Sequence, residues 1–400
     1  MDKAILVINA GSSSIKFGIF ITHKGGTRLD LDVRGQIAGI GQQARFVVER
    51  VHGSRVEKQV VDSASLHNHE GALLALLEWV QTFASGLEFI AVGHRVVHGG
   101  AIFSSPVIID AGVFAQLESL VPLAPLHQPH NLAAIEALKR IDPDLLQVAC
   151  FDTAFHRSMP AVAQSFALPR ALTAEGVRPY GFHGLSYEYI ASVLPDDQKS
   201  ATDDRVIVAH LGHGASLCGM IGRRSVATTM SFTPLDGLPM ATRCGSLDPG
   251  VLLYLMTEKG MTLDAVSDLL HNKSGLLGIS GISGDMRELL ASSDPHSAQA
   301  VELFVYRVVR ELGSMAAALE GLDRLVFTGG IGAHSSIIRE RICQRLGWLG
   351  VQIDSSVNAA GAHKISTGNS LVSVWAVPTN EELVIAQHAS AIAKSMISEN

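Results

Sequence analysis

Two arginines lie in segments where a charged side chain is unusual. Arg95 follows His94 in an apolar run that ends at Gly100, and Arg243 lies among the small residues 241–245. An arginine in such surroundings is rarely buried without an anionic partner, and its planar guanidinium suits a carboxylate or a phosphate. The residues alone leave two alternatives open at each position, an anion-binding site or a structural ion pair.

Glycine-rich turns recur beside apolar segments. They lie around Gly11, Gly212–Gly214, Gly245, Gly278–Gly284 and Gly329–Gly332. Glycine lets backbone N–H groups approach phosphate oxygens closely, so several such turns favour a nucleotide-binding cleft, although any single one is typical of an ordinary turn. The sequence has no GxxxxGK[ST] run and no GxGxxG, which excludes a P-loop and the dinucleotide fingerprint.

Three histidines lie in apolar or aromatic settings, at His127, His156 and His183. A zinc site built from His127 and His130 is conceivable, but no HExxH motif or Cys/His cluster supports it. Core histidines with one hydrogen bond are the commoner alternative.

The elements that must position these residues follow an α/β pattern. The apolar run Ile5–Ile8 predicts a buried strand, and a small polar turn leads into a second apolar run at 15–21. The same strand, turn and strand return at 206–221, which is weak evidence for an internal duplication. Further helices are predicted near 69–83, 132–138 and 298–319, and strands at 325–328 and 371–377. Ligands in such folds bind at the carboxyl ends of the strands.

Composition narrows the class of protein. The 400 residues suit two domains, and 47% hydrophobic with 17% charged residues allow buried sheets. A net charge of −7 without a basic block argues against a nucleic-acid partner. Four widely spaced cysteines without a CxxC pair are typical of reduced thiols, and no run is long and apolar enough for a signal peptide or a membrane span. We therefore expect a cytoplasmic protein.

Eight segments in order resemble the motifs of the acetate kinase family. They are Ile8–Lys16, Gly93–Gly100, Phe151–His156, Arg178–Gly184, Phe232–Pro249, Ser274–Arg287, Phe327–Gly332 and Pro378–Leu383. The family belongs to a superfamily with sugar kinases, chaperone ATPases and actin. The resemblance implies an α/β fold of two duplicated ribonuclease H-like (actin-like ATPase) domains with an interdomain cleft, and a homodimer. The expected domains are 1–150 and 151–382, with most of the nucleotide site in the second and a C-terminal helix at about 383–400 packed back on the first.

The resemblance also implies roles for individual residues. It places Mg²⁺, for which Mn²⁺ is expected to substitute, at Asn9 and Glu381, and phosphate contacts at Ser12 and Lys16. The catalytic positions implied are Arg95, His127, Asp152, His183 and Arg243. The apolar pocket for the methyl group of acetate would comprise Val97, Leu126, Phe182 and Pro234, beside Arg95. The nucleotide, ATP or ADP, would lie against His210, Leu211, Gly212, His213, Gly214, Asp285, Met286, Arg287, Gly330, Ile331, Gly332, Ala333 and His334.

This sequence departs from the family pattern at several positions. His213 stands where the family usually has Asn, and Ala333-His334 where it usually has Glu-Asn. Ala227 and Ser246 each replace an Asp, and Leu185 and Tyr187 replace a Thr and a His. Most of these changes lie on the nucleotide side, so they bear on nucleotide preference.

The activity implied is reversible, direct in-line phosphorylation of acetate to acetyl phosphate by ATP. Arg95 is expected to bind the carboxylate, Arg243 and His183 the transferring phosphoryl group, and Asp152 to orient Arg243 or a magnesium-bound water. The alternatives are a kinase for propionate or another short-chain carboxylate and, less in keeping with paired arginines, a non-catalytic actin-like ATP-binding switch. A sugar kinase would need a base to activate a hydroxyl group.

Overall fold

The chain forms two compact units in a computed structural model. The structure describes residues 2–11, 14–23, 28–41, 43–52, 55–61, 66–83, 86–195 and 203–398. Unit 1 comprises Met1–Phe155 with Asn380–Asn400, and unit 2 comprises His156–Thr379.

Unit 1 is built on one mixed sheet. Its strands are β1 (Asp2–Ala10), β2 (Ser14–Thr22), β3 (Leu29–Ala38), β4 (Arg45–His52), β5 (Arg55–Val61), β6 (Leu87–Val96), β7 (Val107–Ile108) and β8 (Gln147–Phe151). Its helices are α1 (His69–Phe83), α2 (Ala111–Ser119), α3 (Gln128–Ile141) and, from the end of the chain, α14 (Glu381–Ser398). The strand order is β5-β4-β3-β2-β1-β6-β8-β7, with β1, β6 and β8 parallel.

Helices cover both faces of the central strands of unit 1. Side chains alternate along a strand, so Leu6 and Ile8 point to the core that α1 and α3 complete. On β6, Val92 belongs to this same core, whereas its neighbour Gly93 packs against Ile385 of α14. The three parallel strands are therefore buried on both sides, which agrees with their continuous apolar sequences.

Unit 2 has a smaller sheet with more helices. Its strands are β9 (Arg205–Leu211), β10 (Ala215–Ile221), β11 (Arg224–Thr228), β12 (Arg324–Thr328) and β13 (Ser373–Ala376), in the order β11-β10-β9-β12-β13. Its helices are α4 (Arg170–Ala174), α5 (Gly184–Val193), α6 (Pro249–Thr257), α7 (Leu263–Asn272), α8 (Gly275–Ser280), α9 (Met286–Ala291), α10 (Pro295–Ala318), α11 (Gly329–His334), α12 (Ser336–Cys343) and α13 (Ser355–Ala359).

The two sheets share a five-strand arrangement. In unit 1, neighbouring strands in the order β3-β2-β1-β6-β8 form two antiparallel pairs followed by two parallel pairs. In unit 2, the strands β11-β10-β9-β12-β13 pair in the same succession. The expected fold class, an α/β protein with two duplicated ribonuclease H-like domains, is confirmed.

Most of the predicted elements are also confirmed, with one difference. The two opening hairpins form as predicted, because each has a short polar turn between apolar strands. The glycine-rich segment Gly329–Gly332 is not a separate turn: it starts helix α11, since only Gly329 needs a positive φ, of 76°, to leave the strand. Among the described residues, no helix is long and apolar enough to span a membrane.

Candidate active site

Unit 1 gathers a polar cluster where its parallel strands end. Asn9 lies near the end of β1, Arg95 near the end of β6, and Asp152 directly follows β8. Glu381 begins α14, and Lys16 of β2 lies opposite Asn9 in the hairpin. The carboxyl ends of adjacent parallel strands meet at one edge of the sheet, so the fold brings together residues that are far apart in the sequence.

Arg95 is held on three sides in this cluster. Its Nε donates to one carboxylate oxygen of Asp152 at 3.0 Å, and Nη2 donates to the other at 2.5 Å. Its Nη1 donates to Oδ1 of Asn9 at 3.1 Å. The Asp152 side chain is only 2% exposed, whereas that of Arg95 is 19% exposed. Burial acts to lower the pKa of Arg95, but the charge and hydrogen bonding of Asp152 together with the charges of Glu381 and Glu382 outweigh it and raise the pKa. The bidentate pair fixes the plane of a guanidinium that remains charged and reachable from solvent.

Glu381 is the acidic member of the cluster whose ionisation is most strongly altered. Burial, with smaller contributions from Asp152 and Glu382, raises its pKa to about 7, although Arg95 and Lys16 act in the opposite direction. Desolvated carboxyl groups close together repel when ionised, and a cation would relieve that repulsion.

The unit 1 residues assigned to the methyl pocket and its surroundings differ in how far they are buried. Val97 is buried after β6, whereas Leu126 is 50% exposed and His127 is the N-cap of α3. Two buried amides on α3, which sequence reasoning missed, support this region. Asn131 accepts from the N–H of Val97 at 3.0 Å and donates to the carbonyl of Ala10 at 2.7 Å.

Gln128 forms a second bridge, to both the N–H and the carbonyl of His98. Gln128 and Asn131 lie three positions apart on the buried face of α3. Polar residues at helical spacing on an apolar face were the available signal for both.

Unit 2 presents a second cluster, centred on His183. This residue is the N-cap of α5 and has a positive φ of 59°. Its Nδ1 is 2.8 Å from Oγ of Ser216, and its ring stacks on that of His210 with centroids 4.2 Å apart. His210 is itself hydrogen-bonded through Nδ1 to Ser186 at 2.8 Å. One edge and one face of the His183 ring are thus fixed by neighbours.

Gly214 brings the backbone of its turn close to this ring. A side chain on Gly214 would place its Cβ 3.2 Å from Nε2 of His183 and 3.7 Å from Nη2 of Arg243. The other terminal nitrogen of Arg243 donates to the carbonyl of Pro234 at 2.8 Å. Two nitrogen groups therefore converge on the glycine turn that connects β9 and β10.

The turn carries a further histidine. Burial and the charge of Arg243 lower the pKa of His213, while Asp285 acts in the opposite direction. His213 also accepts a hydrogen bond at its carbonyl from the N–H of Ala241 at 3.2 Å, which ties the turn to the segment that carries Arg243. A neutral imidazole here leaves Arg243 as the principal positive charge at the turn.

The remaining residues assigned to the nucleotide are placed around α9 and α11. A Cβ on Gly212 would lie 3.5 Å from the N–H nitrogen of Gly330, so the turn between β9 and β10 approaches the start of α11. Leu211 and Met286 are buried in the core, Phe182 is buried beside His183, and Arg287 is exposed and paired with Asp285. Ala333 is half-buried and His334 exposed on α11.

Arg339, a fully buried residue that sequence reasoning missed, fixes α11. Its Nη1 donates to the carbonyls of Gly332 and Ala333, at 3.0 and 2.8 Å. Its Nε donates to Asn358 at 2.7 Å.

The structure thus distributes the predicted residues over two clusters, one in each unit. Ser12 lies outside the described residues. Asp152, expected beside Arg243 or a water, has Arg95 as its bidentate partner. No group of three or more His, Cys, Asp or Glu side chains suited to a metal occurs in the described parts of the chain.

Comparison with known proteins agrees over almost the whole length. Residues 4–387 match the model of the acetokinase family. An acetate kinase of Rhodopseudomonas palustris (strain TIE-1) is 56% identical over 397 residues, which cover 98% of this chain and 99% of the relative. A solved propionate kinase from Francisella tularensis subsp. tularensis SCHU S4 matches with a TM-score of 0.86 at 35% identity, covering 97% of this chain and 99% of that one. Porphyromonas gingivalis acetate kinase matches with a TM-score of 0.83 at 35% identity, covering 98% and 99%. The chain belongs to the acetokinase family.

Proposed function

We propose that this protein is an acetate kinase, which reversibly transfers the γ-phosphoryl group of ATP to acetate and forms acetyl phosphate and ADP. The observation that carries the proposal is the whole-length likeness to acetate kinases, at up to 56% identity. The two clusters supply the chemistry, because each presents an arginine that neighbouring groups hold in place.

To catalyse this reaction, the protein must position acetate and ATP and neutralise their negative charges. A carboxylate oxygen attacks the γ-phosphorus, a new P–O bond forms, and the bond to the β–γ bridging oxygen breaks as ADP leaves. Acetate is ionised at neutral pH and has no proton to lose, so no general base is required. The difficulty is to bring one anion against another, which fixed guanidinium groups ease.

We assign the carboxylate to the unit 1 cluster. Arg95 has its plane set by Asp152 and Asn9, and 19% of its side chain remains exposed to receive an anion. Asp152 acts by orienting Arg95, because both of its oxygens are engaged with that guanidinium. Lys16 adds positive charge on the hairpin beside Glu381. We propose His127, the N-cap residue of α3, as a further catalytic residue.

We assign the transferring phosphoryl group and the nucleotide to unit 2. Arg243 and Nε2 of His183 converge beside Gly214, and glycine there leaves room for phosphoryl oxygens. The turn His210–Gly214, the start of α9 at Asp285–Arg287 and the helix Gly330–His334 would bind the remainder of ATP. In this proposal, the first domain binds the acid and the second domain binds most of the nucleotide.

Mg²⁺ is the proposed metal, with Mn²⁺ as a substitute. Glu381 and Asn9 offer the hard oxygen donors that these ions prefer, and Asn9 Oδ1 keeps a second lone pair while accepting from Arg95. The raised pKa of Glu381 fits a carboxyl group that a cation would stabilise in its ionised form. Mg²⁺ typically uses one or two protein carboxylates and completes its shell with phosphates and water, which agrees with so small a protein donor set. Bound Mg²⁺ would neutralise charge on the phosphates.

Acetate is the proposed acid rather than propionate or butyrate. Val97, buried directly after β6 and two positions from Arg95, is β-branched and stiff, so it would form a rigid wall beside the tail of the acid. An added methylene gains at most ~0.8 kcal/mol from burial, whereas overpacking costs ~1–3 kcal/mol, so a tight wall should exclude longer acids. The solved relatives include both a propionate and an acetate kinase at 35% identity, so overall likeness does not decide between the acids.

The deciding experiment measures acyl phosphate formation from ATP with formate, acetate, propionate and butyrate. Acetate should have the highest kcat/KM. Val97→Ala should shift the preference towards propionate and butyrate, whereas the matched variant Val92→Ala, at a buried valine within β6, should not. An unchanged preference in Val97→Ala would remove the pocket assignment and leave the kinase activity intact.

A non-catalytic ATP-binding switch is the main rival. It accounts for the glycine turns, but not for the oriented and partly exposed guanidinium of Arg95. ATP turnover measured with acetate, with glycerol and without an acceptor separates the two. Turnover that does not depend on acetate would contradict the kinase proposal.

We further propose a cytoplasmic homodimer. Helix α6 is almost wholly apolar and has no buried residue, with Leu253 65% and Tyr254 50% exposed. An apolar helix left open to water is typical of a surface covered by a partner, and a second copy is the occupant that the family resemblance implies. Leu253→Glu should convert the dimer to a monomer in light scattering, whereas Leu371→Glu, at a still more exposed position outside α6, should not.

A further inference from the structure

A hydroxyl relay lies behind His183 in unit 2. Ser216, fully buried on β10, has its Oγ 2.8 Å from Nδ1 of His183. The same Oγ is in a short hydrogen bond with Oη of Tyr187, a fully buried side chain one turn along α5 from His183. Ser216 therefore connects a phenol to the edge of the imidazole that faces away from Gly214.

We propose that Tyr187 is a positioning residue: acting through Ser216, it sets the tautomer and ring orientation of His183, so that Nε2 presents an N–H to the phosphoryl group. This inference rests on the role proposed above for His183. It concerns a residue that does not itself touch the substrate.

In the proposed relay, the hydrogen bonds run from Tyr187 to Ser216 and from Ser216 to Nδ1 of His183. Burial raises the pKa of Tyr187 well above its ordinary value, so the phenol keeps its proton at any working pH. When Tyr187 donates to Ser216 Oγ, the single proton of Ser216 is available for Nδ1 of His183. A neutral imidazole that accepts at Nδ1 carries its proton on Nε2.

The geometry places that proton where it is useful. Nε2 is the ring atom nearest a Cβ built on Gly214, and a terminal nitrogen of Arg243 lies close to the same position. Stacking on His210 limits tilting of the ring, and the positive φ of His183 sets the direction of its side chain. The opposite tautomer would place a lone pair, instead of an N–H, towards the phosphoryl oxygens.

Tyr187→Phe tests the proposal because it removes one oxygen and keeps the ring, which packs edge-on against His156 and His210. The matched control is Tyr180→Phe. Tyr180 is also buried in unit 2, but its hydroxyl donates to the carbonyl of Gly176 instead of the His183 relay.

Two properties of the full chain, labelled with ¹⁵N-histidine, are measured: the steady-state kinetics and the nitrogen chemical shifts of the histidines. Loss of one neutral hydrogen bond corresponds to a decrease of about three- to tenfold in kcat, with KM for acetate and ATP within about twofold. Nitrogen chemical shifts, assigned by the signal lost in His183→Asn, report the tautomer of His183 directly. In Tyr187→Phe both kcat and these shifts should change, whereas Tyr180→Phe should resemble the wild type.

The outcomes separate this inference from the proposed function. Unchanged His183 shifts in both Tyr187→Phe and Ser216→Ala would overturn the relay. Changed shifts with an unchanged kcat would support the relay and remove His183 from the reaction. If Tyr187→Phe fails to fold, Ser216→Ala, which removes the middle hydroxyl, gives the same two readouts.

Discussion

The pairing of Arg95 with Asp152 leads to a prediction that distinguishes a catalytic arginine from a structural one. In Arg95→Ala, the Asp152 carboxylate, 2% exposed, loses a bidentate partner. Breaking a buried pair in this way typically costs about 3–5 kcal/mol of unfolding free energy, and the partial exposure of Arg95 points to the lower end, about 3 kcal/mol. Loss of the charge-assisted contact with the acid should separately lower kcat/KM by a factor equivalent to about 3–5 kcal/mol.

The double variant Arg95→Ala/Asp152→Asn separates these effects. Removing the stranded carboxylate charge should restore most of the lost stability, to within about 1–2 kcal/mol of the wild type. It cannot restore the contact with the acid, so kcat/KM should remain as low as in Arg95→Ala. Urea unfolding and acyl phosphate formation measure the two quantities.

The pair of Arg324 and Asp204 in unit 2 is the matched control. Its atoms are 2.5 Å apart and both side chains are about as buried as Asp152, but neither is assigned to the site. Arg324→Ala should lose stability without a comparable loss of kcat/KM in the folded protein. Near-normal kcat/KM in Arg95→Ala, or recovery of activity together with stability in the double variant, would show that Arg95 is only structural.

Three further predictions concern other parts of the two clusters. Gly214→Ala should lower kcat/KM for ATP with little loss of thermal stability, because the new methyl group would enter the space shared by His183 and Arg243; normal kinetics would show that this space is not used. Cys244→Ser should keep wild-type turnover, since the transfer needs no thiol and Cys244 forms no disulfide; complete inactivation of the folded variant would contradict this. Because burial raises the pKa of Glu381 to about 7 from 4.5, the folded metal-free protein holds a proton that the unfolded chain releases, so its unfolding free energy should fall as the pH rises from about 5 to 7. Glu381→Gln should flatten that slope in urea titrations, and an identical slope in both proteins would refute the assignment.

Local patterns predicted the elements better than the contacts between them. The hairpins at Ile8–Lys16 and Val206–Ile221 follow from apolar runs around small polar turns, which are properties of short segments. The bond between Arg95 and Asp152 joins positions 57 residues apart, and no local pattern identifies the partner. Family resemblance supplied both residues, yet it directed Asp152 towards Arg243 or a water.

The sequence did not predict the residues that support the site, because their roles also depend on contacts between distant segments. Ser216 and Tyr187 lie in an apolar strand and helix, where a hydroxyl looks like an ordinary core substituent until the fold aligns it with His183. Arg339 is four residues beyond the half-buried Ser335, in a segment whose sequence gives no sign that its guanidinium will be fully buried.

The position of α14 has a consequence for how the chain is made. Unit 2 is one continuous segment, His156–Thr379, whereas unit 1 needs both its first 155 residues and Asn380–Asn400. On a ribosome, the sheet of unit 1 emerges first but must wait for Ile385 to cover Gly93, while the whole of unit 2 is synthesised in between. Unit 2 can therefore complete its fold before unit 1, and the helix that closes unit 1 also delivers Glu381. The polar cluster of unit 1 is thus assembled only after the whole of unit 2 has been synthesised, so a nascent chain cannot acquire its proposed metal site earlier.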